Sequence, residues 1–85
     1  MNIAYSPEFA RRFKKLPREI KLKALVKEEV FRKDPFDPVL KTHKLSGKFV
    51  DEYSFWIDFK TRIIFSFVNS NLVCFHSVGG HEIYK

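Results

Sequence analysis

Residues 52–84, EYSFWIDFKTRIIFSFVNSNLVCFHSVGGHEIY, restrict the possible folds more than any other stretch of the chain. Their apolar and polar side chains alternate with a period of two, which places successive residues on opposite faces of a strand. Tyr53, Phe55 and Ile57 alternate with Ser54, Trp56 and Asp58. Ile63, Phe65 and Phe67 alternate with Arg62, Ile64 and Ser66. With Phe59-Lys60-Thr61 as the turn, Asp58 is expected opposite Arg62, and Trp56 opposite Ile64. One face is then a hydrophobic floor for helices, and the other carries Trp56, Asp58 and Arg62 together. A slip of one residue would exchange the faces. Asn69-Ser70-Asn71 is a turn by composition. A third strand from Leu72 to Val78 adds Val73 and Phe75 to the floor and sends Cys74 and His76 to the Arg62 face.

Upstream the period becomes helical. Asn2 to Tyr5 reads as a short strand. Ser6-Pro7-Glu8 is a helix start, with an N-cap, a proline at the first helical position and an acid in the first turn. Phe9, Phe13 and Leu16 form one apolar stripe, with Arg11, Arg12, Lys14 and Lys15 off it. Pro17 separates this helix from a second, expected over Arg18 to Lys33 and stopped by Asp34-Pro35. Ile20, Ala24 and Phe31 make its stripe. Leu22, Leu25, Val26 and Val30 widen the apolar surface beyond one face, so the helix is either unusually buried or partly reserved for a partner. The connector 35–48, PFDPVLKTHKLSGK, carries Lys41, His43, Lys44 and Lys48. Leu40 and Leu45 are its expected anchors, and Ser46-Gly47 its turn.

Charge divides the chain. Residues 1–50 hold 13 Lys/Arg against 6 Asp/Glu, a net of +7; residues 51–85 hold 3 against 4, a net of −1. A basic half suggests a polyanionic partner, most often nucleic acid, although solvated lysine faces explain part of it. One cysteine gives no disulfide framework. There is no apolar run of the roughly 18 residues that span a membrane, and no signal peptide ahead of Met1-Asn2-Ile3. The expected location is the cytoplasm, without membrane contact.

No CxxC, HExxH, GxGxxG or P-loop occurs, so no metal or nucleotide site is expected. Cys74 and His76, mid-strand, read as structural. His43, Asp58, Arg62, His81 and Tyr84 remain. They contain titratable bases near neutral pH, a cation suited to phosphate and an aromatic ring for stacking a base. That set suffices for RNA cleavage without metal: one group removes the ribose 2′-OH proton, a cation stabilises the phosphate, and another group protonates the leaving 5′-oxygen.

The order strand, two basic helices, LKTHKLSGK, FWIDFKTRIIFSF and HSVGGHEIYK resembles the RelE/ParE superfamily of type II toxins. Within it, the match is to the RelE/StbE and YafQ-like mRNA interferases. The resemblance covers essentially the whole chain. It implies an α+β, two-layer RelE-like fold in a single domain, residues 1–85: an N-terminal strand, a two-helix hairpin, then a three-stranded antiparallel meander. It implies a ribosome-dependent endoribonuclease that cuts mRNA in the A site without a cofactor. It also implies a cognate antitoxin that forms a hetero-oligomer with the toxin. By position, His43 is similar to the loop histidine of YafQ-like enzymes, and Arg62 to the strand arginine that meets the scissile phosphate. His81 is similar to the C-terminal catalytic histidine, and Tyr84 to the terminal aromatic. Trp56 stands roughly where several relatives have a second basic residue or histidine, and Lys60 where some have an acid that serves as base. The identity of the general base stays open. Arg11, Arg12, Lys14 and Lys15 of the first helix, with Lys41, Lys44 and Lys48, are the residues expected to hold rRNA. The same superfamily contains inhibitors of DNA gyrase that cut no RNA, and a fold retained only for binding is a third reading. The pair of histidines favours the nuclease.

Overall fold

Ser6 ends one element and begins the next. Its hydroxyl accepts from the Phe9 amide at 3.0 Å and donates to the His76 carbonyl at 2.7 Å, so the helix cap is also a tie to the last strand. The computed structural model describes residues 1–84. In chain order they form β1 (Asn2–Tyr5), α1 (Pro7–Lys14), α2 (Arg18–Lys33), β2 (His43–Lys44), β3 (Tyr53–Trp56), β4 (Arg62–Asn69) and β5 (Leu72–Gly79). Short 3-10 turns occupy Pro38–Leu40, Gly47–Phe49 and His81–Tyr84. Both helices match their expected limits closely. Asp34 is extended (φ −159°, ψ 104°) because the following proline disfavours helical backbone there, and α2 stops.

The fold is the expected α+β arrangement, with one added strand. The sheet has five strands in the order β1-β5-β4-β3-β2. β1 joins it in parallel, Ile3 against Val73, while the β3-β4-β5 meander is antiparallel. The connector, read from sequence as loop, contributes β2 as an edge strand, with His43 opposite Ser54. A two-residue strand leaves no periodicity to detect.

The turn between β3 and β4 differs from the expectation. Trp56 pairs with Arg62, and Ser54 with Ile64, a register displaced by two residues. The faces are therefore preserved, but Asp58 does not oppose Arg62. Asp58 lies in the turn instead, where its Oδ1 accepts from the Lys60 amide at 2.9 Å and the Thr61 amide at 2.8 Å. The carboxylate satisfies two turn amides that the short loop leaves unpaired. Burial pushes the Asp58 carboxyl up, but these N–H bonds outweigh it and hold the group below its ordinary value.

The floor is an aromatic layer. Phe31 of α2 stacks on Phe55 with ring centroids 4.9 Å apart and meets Phe65 edge-on at 4.9 Å and Phe75 at 5.3 Å. All four rings are fully buried, and each contributes roughly 2–3 kcal/mol of burial. Phe9 and Ala24 close the layer from the two helices, and Leu40 anchors the connector as expected. Val30 packs on this core edge and is no part of an open face. Leu22, Leu25 and Val26 are exposed, at 54%, 54% and 63%.

A β-bulge interrupts β5. Ile64 pairs with Ser77 and Phe65 with Phe75, leaving His76 as the extra residue. The slip restores Val78 to the floor beside Ile63, and both are buried in the core.

Candidate functional site

The face opposite the floor carries the candidate site. Its central feature is a cleft of about 430 Å³ lined by Phe59, Lys60, Arg62, Gly80, His81 and Tyr84. Arg62 opens β4, and the β3-β4 turn supplies Phe59 and Lys60. The 3-10 turn after β5 supplies His81 and Tyr84. That turn is tied down by Ile83, which is only 6% exposed, so residues 81–84 are not the loose tail their sequence suggests.

The double glycine before the turn has a steric cause. A Cβ on Gly79 would lie 2.7 Å from Glu82 Oε2 and 2.9 Å from Ile83 Cγ2, and Gly79 itself has φ +154°. The Glu82 carboxylate folds back instead to accept from the Gly80 amide at 2.9 Å. Only a backbone without side chains lets the turn close so tightly against β5. His81 is left exposed, with its ring 6.1 Å from that of Tyr84, and Tyr84 meets Phe49 edge-on at 6.3 Å.

Arg62 is held from several sides. Its Nη2 donates to the Phe59 carbonyl at 2.9 Å, and its guanidinium carbon sits 4.0 Å from the centre of the Trp56 ring. Its Nε is buried without a hydrogen-bond partner among the described residues. Lys41 Nζ lies 5.4 Å from the centre of the same indole. Lys41 is also the only non-glycine described residue with positive φ (51°).

His43 does not line the cleft. Its Nδ1 lies 3.3 Å from the Lys41 carbonyl and its Nε2 3.4 Å from the Ser54 hydroxyl. The neutral tautomer with its hydrogen on Nδ1 would donate to that carbonyl and turn the Nε2 lone pair towards Ser54. The structure thus brings three of the four expected catalytic residues, Arg62, His81 and Tyr84, to one cleft. It places His43 further along the same sheet face. His76 and Cys74 behave as structural groups. Ser66 Oγ is 2.7 Å from His76 Nε2, Cys74 Sγ is 3.6 Å from His76 Nδ1, and burial, with Glu52 nearby, pushes the Cys74 thiol up. No group of three or more potential metal ligands stands together among the described residues.

The expected RNA-binding residues divide into two sets. Arg11 and Lys14 are exposed on α1 and Lys15 just after it, while Arg12 is half-buried and paired with Glu8 at 3.2 Å. Lys41, Lys44 and Lys48 are exposed along the connector, with Lys48 Nζ 5.3 Å from the centre of the Phe49 ring. Phe59 escaped the sequence reading. At 73% exposure it is the most exposed large apolar residue on the surface. The signal was present: an aromatic inside a turn cannot reach a core that already holds both flanking strands.

This architecture has counterparts of known structure. No protein-family model matches the chain, and no curated protein does. Solved structures do. The YoeB/ParE toxin from Agrobacterium tumefaciens superposes with a TM-score of 0.81 at 14% identity, covering 95% of this chain and 99% of the other. YafQ from E. coli superposes at 0.74 with 21% identity, covering 98% and 96%. The YoeB-YefM complex from Staphylococcus aureus gives 0.78 at 20% identity, covering 95% and 97%. At such identities the likeness is one of fold.

Proposed function

We propose that this chain is the toxin of a type II toxin–antitoxin pair and a ribosome-dependent endoribonuclease acting on mRNA in the cytoplasm. The observation that carries this reading is the convergence of Arg62, His81 and Tyr84, with Phe59 and Lys60, on one open cleft. Cleavage there needs no cofactor. A base takes the proton from the ribose 2′-OH, and the 2′-oxygen attacks phosphorus. The P–O5′ bond breaks, leaving a 2′,3′-cyclic phosphate, and an acid supplies a proton to the departing 5′-oxygen. Arg62 neutralises charge on the pentacoordinate phosphate. His81 is the acid or the base. Its counterpart is Lys60 in the cleft or His43, reached from the loop. Tyr84 and Phe59 stack the neighbouring bases. The basic residues of α1 and the connector hold rRNA.

An antitoxin is the expected partner. Similar folds were solved in the YoeB-YefM and DinJ-YafQ complexes, and the exposed Leu22, Leu25 and Val26 beside the basic first half suit an apolar and acidic segment.

Primer extension on mRNA after induction of the protein tests the nuclease. Cuts confined to translated messages support it. Intact RNA together with trapped double-strand DNA breaks would replace it by the gyrase-inhibitor reading.

A further inference from the structure

Trp56 is the only tryptophan, and it stands in β3 opposite Arg62. A neutral aromatic at this point of a phosphate-binding face looks out of place. Its contacts explain it. The Arg62 guanidinium lies 4.0 Å from the ring centre, well within the range in which a cation is held by an aromatic face. The Lys41 ammonium lies 5.4 Å from the same centre. Phe59 meets the indole edge-on at 5.8 Å, and its carbonyl accepts from Arg62 Nη2. Two cations that repel each other are thus gathered on one ring.

Lys41 arrives there through an uncommon backbone. Left-handed φ and ψ (51°, 41°) in a residue other than glycine costs about 1 kcal/mol, and such residues cluster where the surroundings hold them for a purpose. The surroundings here are specific. Leu40 is fully buried immediately before, Thr42 donates to the Pro35 carbonyl at 2.6 Å immediately after, and the Lys41 carbonyl is 3.3 Å from His43 Nδ1. One residue therefore touches both the loop histidine and the indole that carries Arg62.

We propose that Trp56 is a positioning residue: its indole holds Arg62 and Lys41 as a two-cation clamp for successive phosphates of a single RNA strand. The inference rests on the nuclease reading of the cleft. An unsupported arginine at a half-exposed strand end samples many rotamers. A stacked and hydrogen-bonded one presents its remaining N–H groups in one direction, which lowers the ordering cost of each phosphate contact. Lys41 serves the adjoining phosphate, and because its carbonyl is beside His43 the clamp also fixes the connector relative to the cleft.

The sole tryptophan makes the clamp observable. A single-stranded RNA oligonucleotide with 2′-O-methyl riboses cannot be cut by 2′-OH attack, and it is titrated into the isolated chain while Trp56 emission is followed. The parent is expected to give a saturable change that weakens steeply with salt. Arg62→Ala and Lys41→Ala should each shift the emission of the free protein, because the indole loses a cation and gains water. Trp56→Leu, with binding read by labelled oligonucleotide, should bind about tenfold more weakly. Trp56→Phe, which keeps an aromatic face, should recover most of that loss at an unchanged melting temperature. If the parent binds and Trp56→Leu binds equally well, the positioning role is wrong and the nuclease reading stands. Equal binding by Trp56→Leu and Trp56→Phe, both weaker than the parent, would also overturn the clamp, since only bulk would then matter. A parent that neither binds the oligonucleotide nor cuts translated mRNA overturns both readings together.

Discussion

The two faces of the sheet come from the same strands and obey opposite rules. On the floor, Phe55, Phe65 and Phe75 are sealed beneath Phe31, with rings packed on rings at the centre and aliphatic side chains such as Leu40, Ile63 and Val73 around them. On the other face, Trp56, Arg62 and the turn bearing His81 leave an open cleft, where cation-to-ring and side-chain-to-backbone contacts join a few exposed ring pairs. Alternation lets eight-residue strands serve both purposes, so a change of one residue in register would ruin both. Stability is concentrated on one side and the proposed chemistry on the other, and substitutions should separate them.

The largest effect is expected on the floor. Phe65→Ala removes a fully buried ring at the centre of the layer and should cost about 3–5 kcal/mol, a large share of what an 85-residue domain has. Chemical denaturation measures it, and a loss under 1 kcal/mol would show that the aromatic layer repacks easily. On the other face, His81→Ala should leave the melting temperature within a few degrees of the parent while lowering cleavage ~10²–10⁴-fold. Cell killing at the parental rate would remove His81 from the chemistry. Gly79→Ala sharpens the border between the faces, because its Cβ meets the Glu82 carboxylate and Ile83. It should both destabilise by about 1–3 kcal/mol and displace the turn, so that activity falls more than stability explains.

Smaller effects test the outer surfaces. Leu22→Glu with Val26→Glu should change stability by no more than about 0.5 kcal/mol, and should release the chain from the proposed antitoxin while the proposed mRNA cutting persists. Neutralisation equal to the parent's would assign the partner to another surface. Asp58 tests the turn between the faces through its pH dependence. Its carboxyl is held below its ordinary value in the folded chain, so its contribution is fully present above that ordinary value and is lost as the pH falls through the folded one. Asp58→Ala should cost about 1 kcal/mol near neutral pH, and the difference in melting temperature from the parent should narrow as the pH falls below the ordinary carboxyl value of about 4. A gap that persists at low pH would mean the cap acts without its charge.

What could be read from the sequence follows the same division. Period two gave the floor residues, and period 3.6 with Ser6-Pro7 gave both helices to within a residue or two. The cleft was legible as residue types, since histidine, arginine and tyrosine near two turns are poor core material. Three things were not. The β3-β4 register depends on Asp58 choosing backbone amides over Arg62, a competition between local hydrogen bonds that alternation does not encode. The strand at His43 is too short to carry a pattern. The bulge at His76 is visible only from the partner strand, where Ile64 and Phe65 take consecutive places against Ser77 and Phe75.

The pairing of β1 with β5 has a consequence for how this molecule comes into being. Ile3 finds its neighbour at Val73, and the cap of α1 finds its second bond at His76, 70 positions away. These contacts span most of the 85-residue chain, and topologies rich in such contacts fold slowly because loop closure precedes any reward. The opening strand and helix wait for the closing strand. A nascent chain that has emerged only to Asn71 has neither the neighbour of β1 nor the turn bearing His81. Its late step is thus the same for architecture and for activity. Refolding should be a single slow phase in which protection of the β1 amides and the first oligonucleotide response of Trp56 appear together.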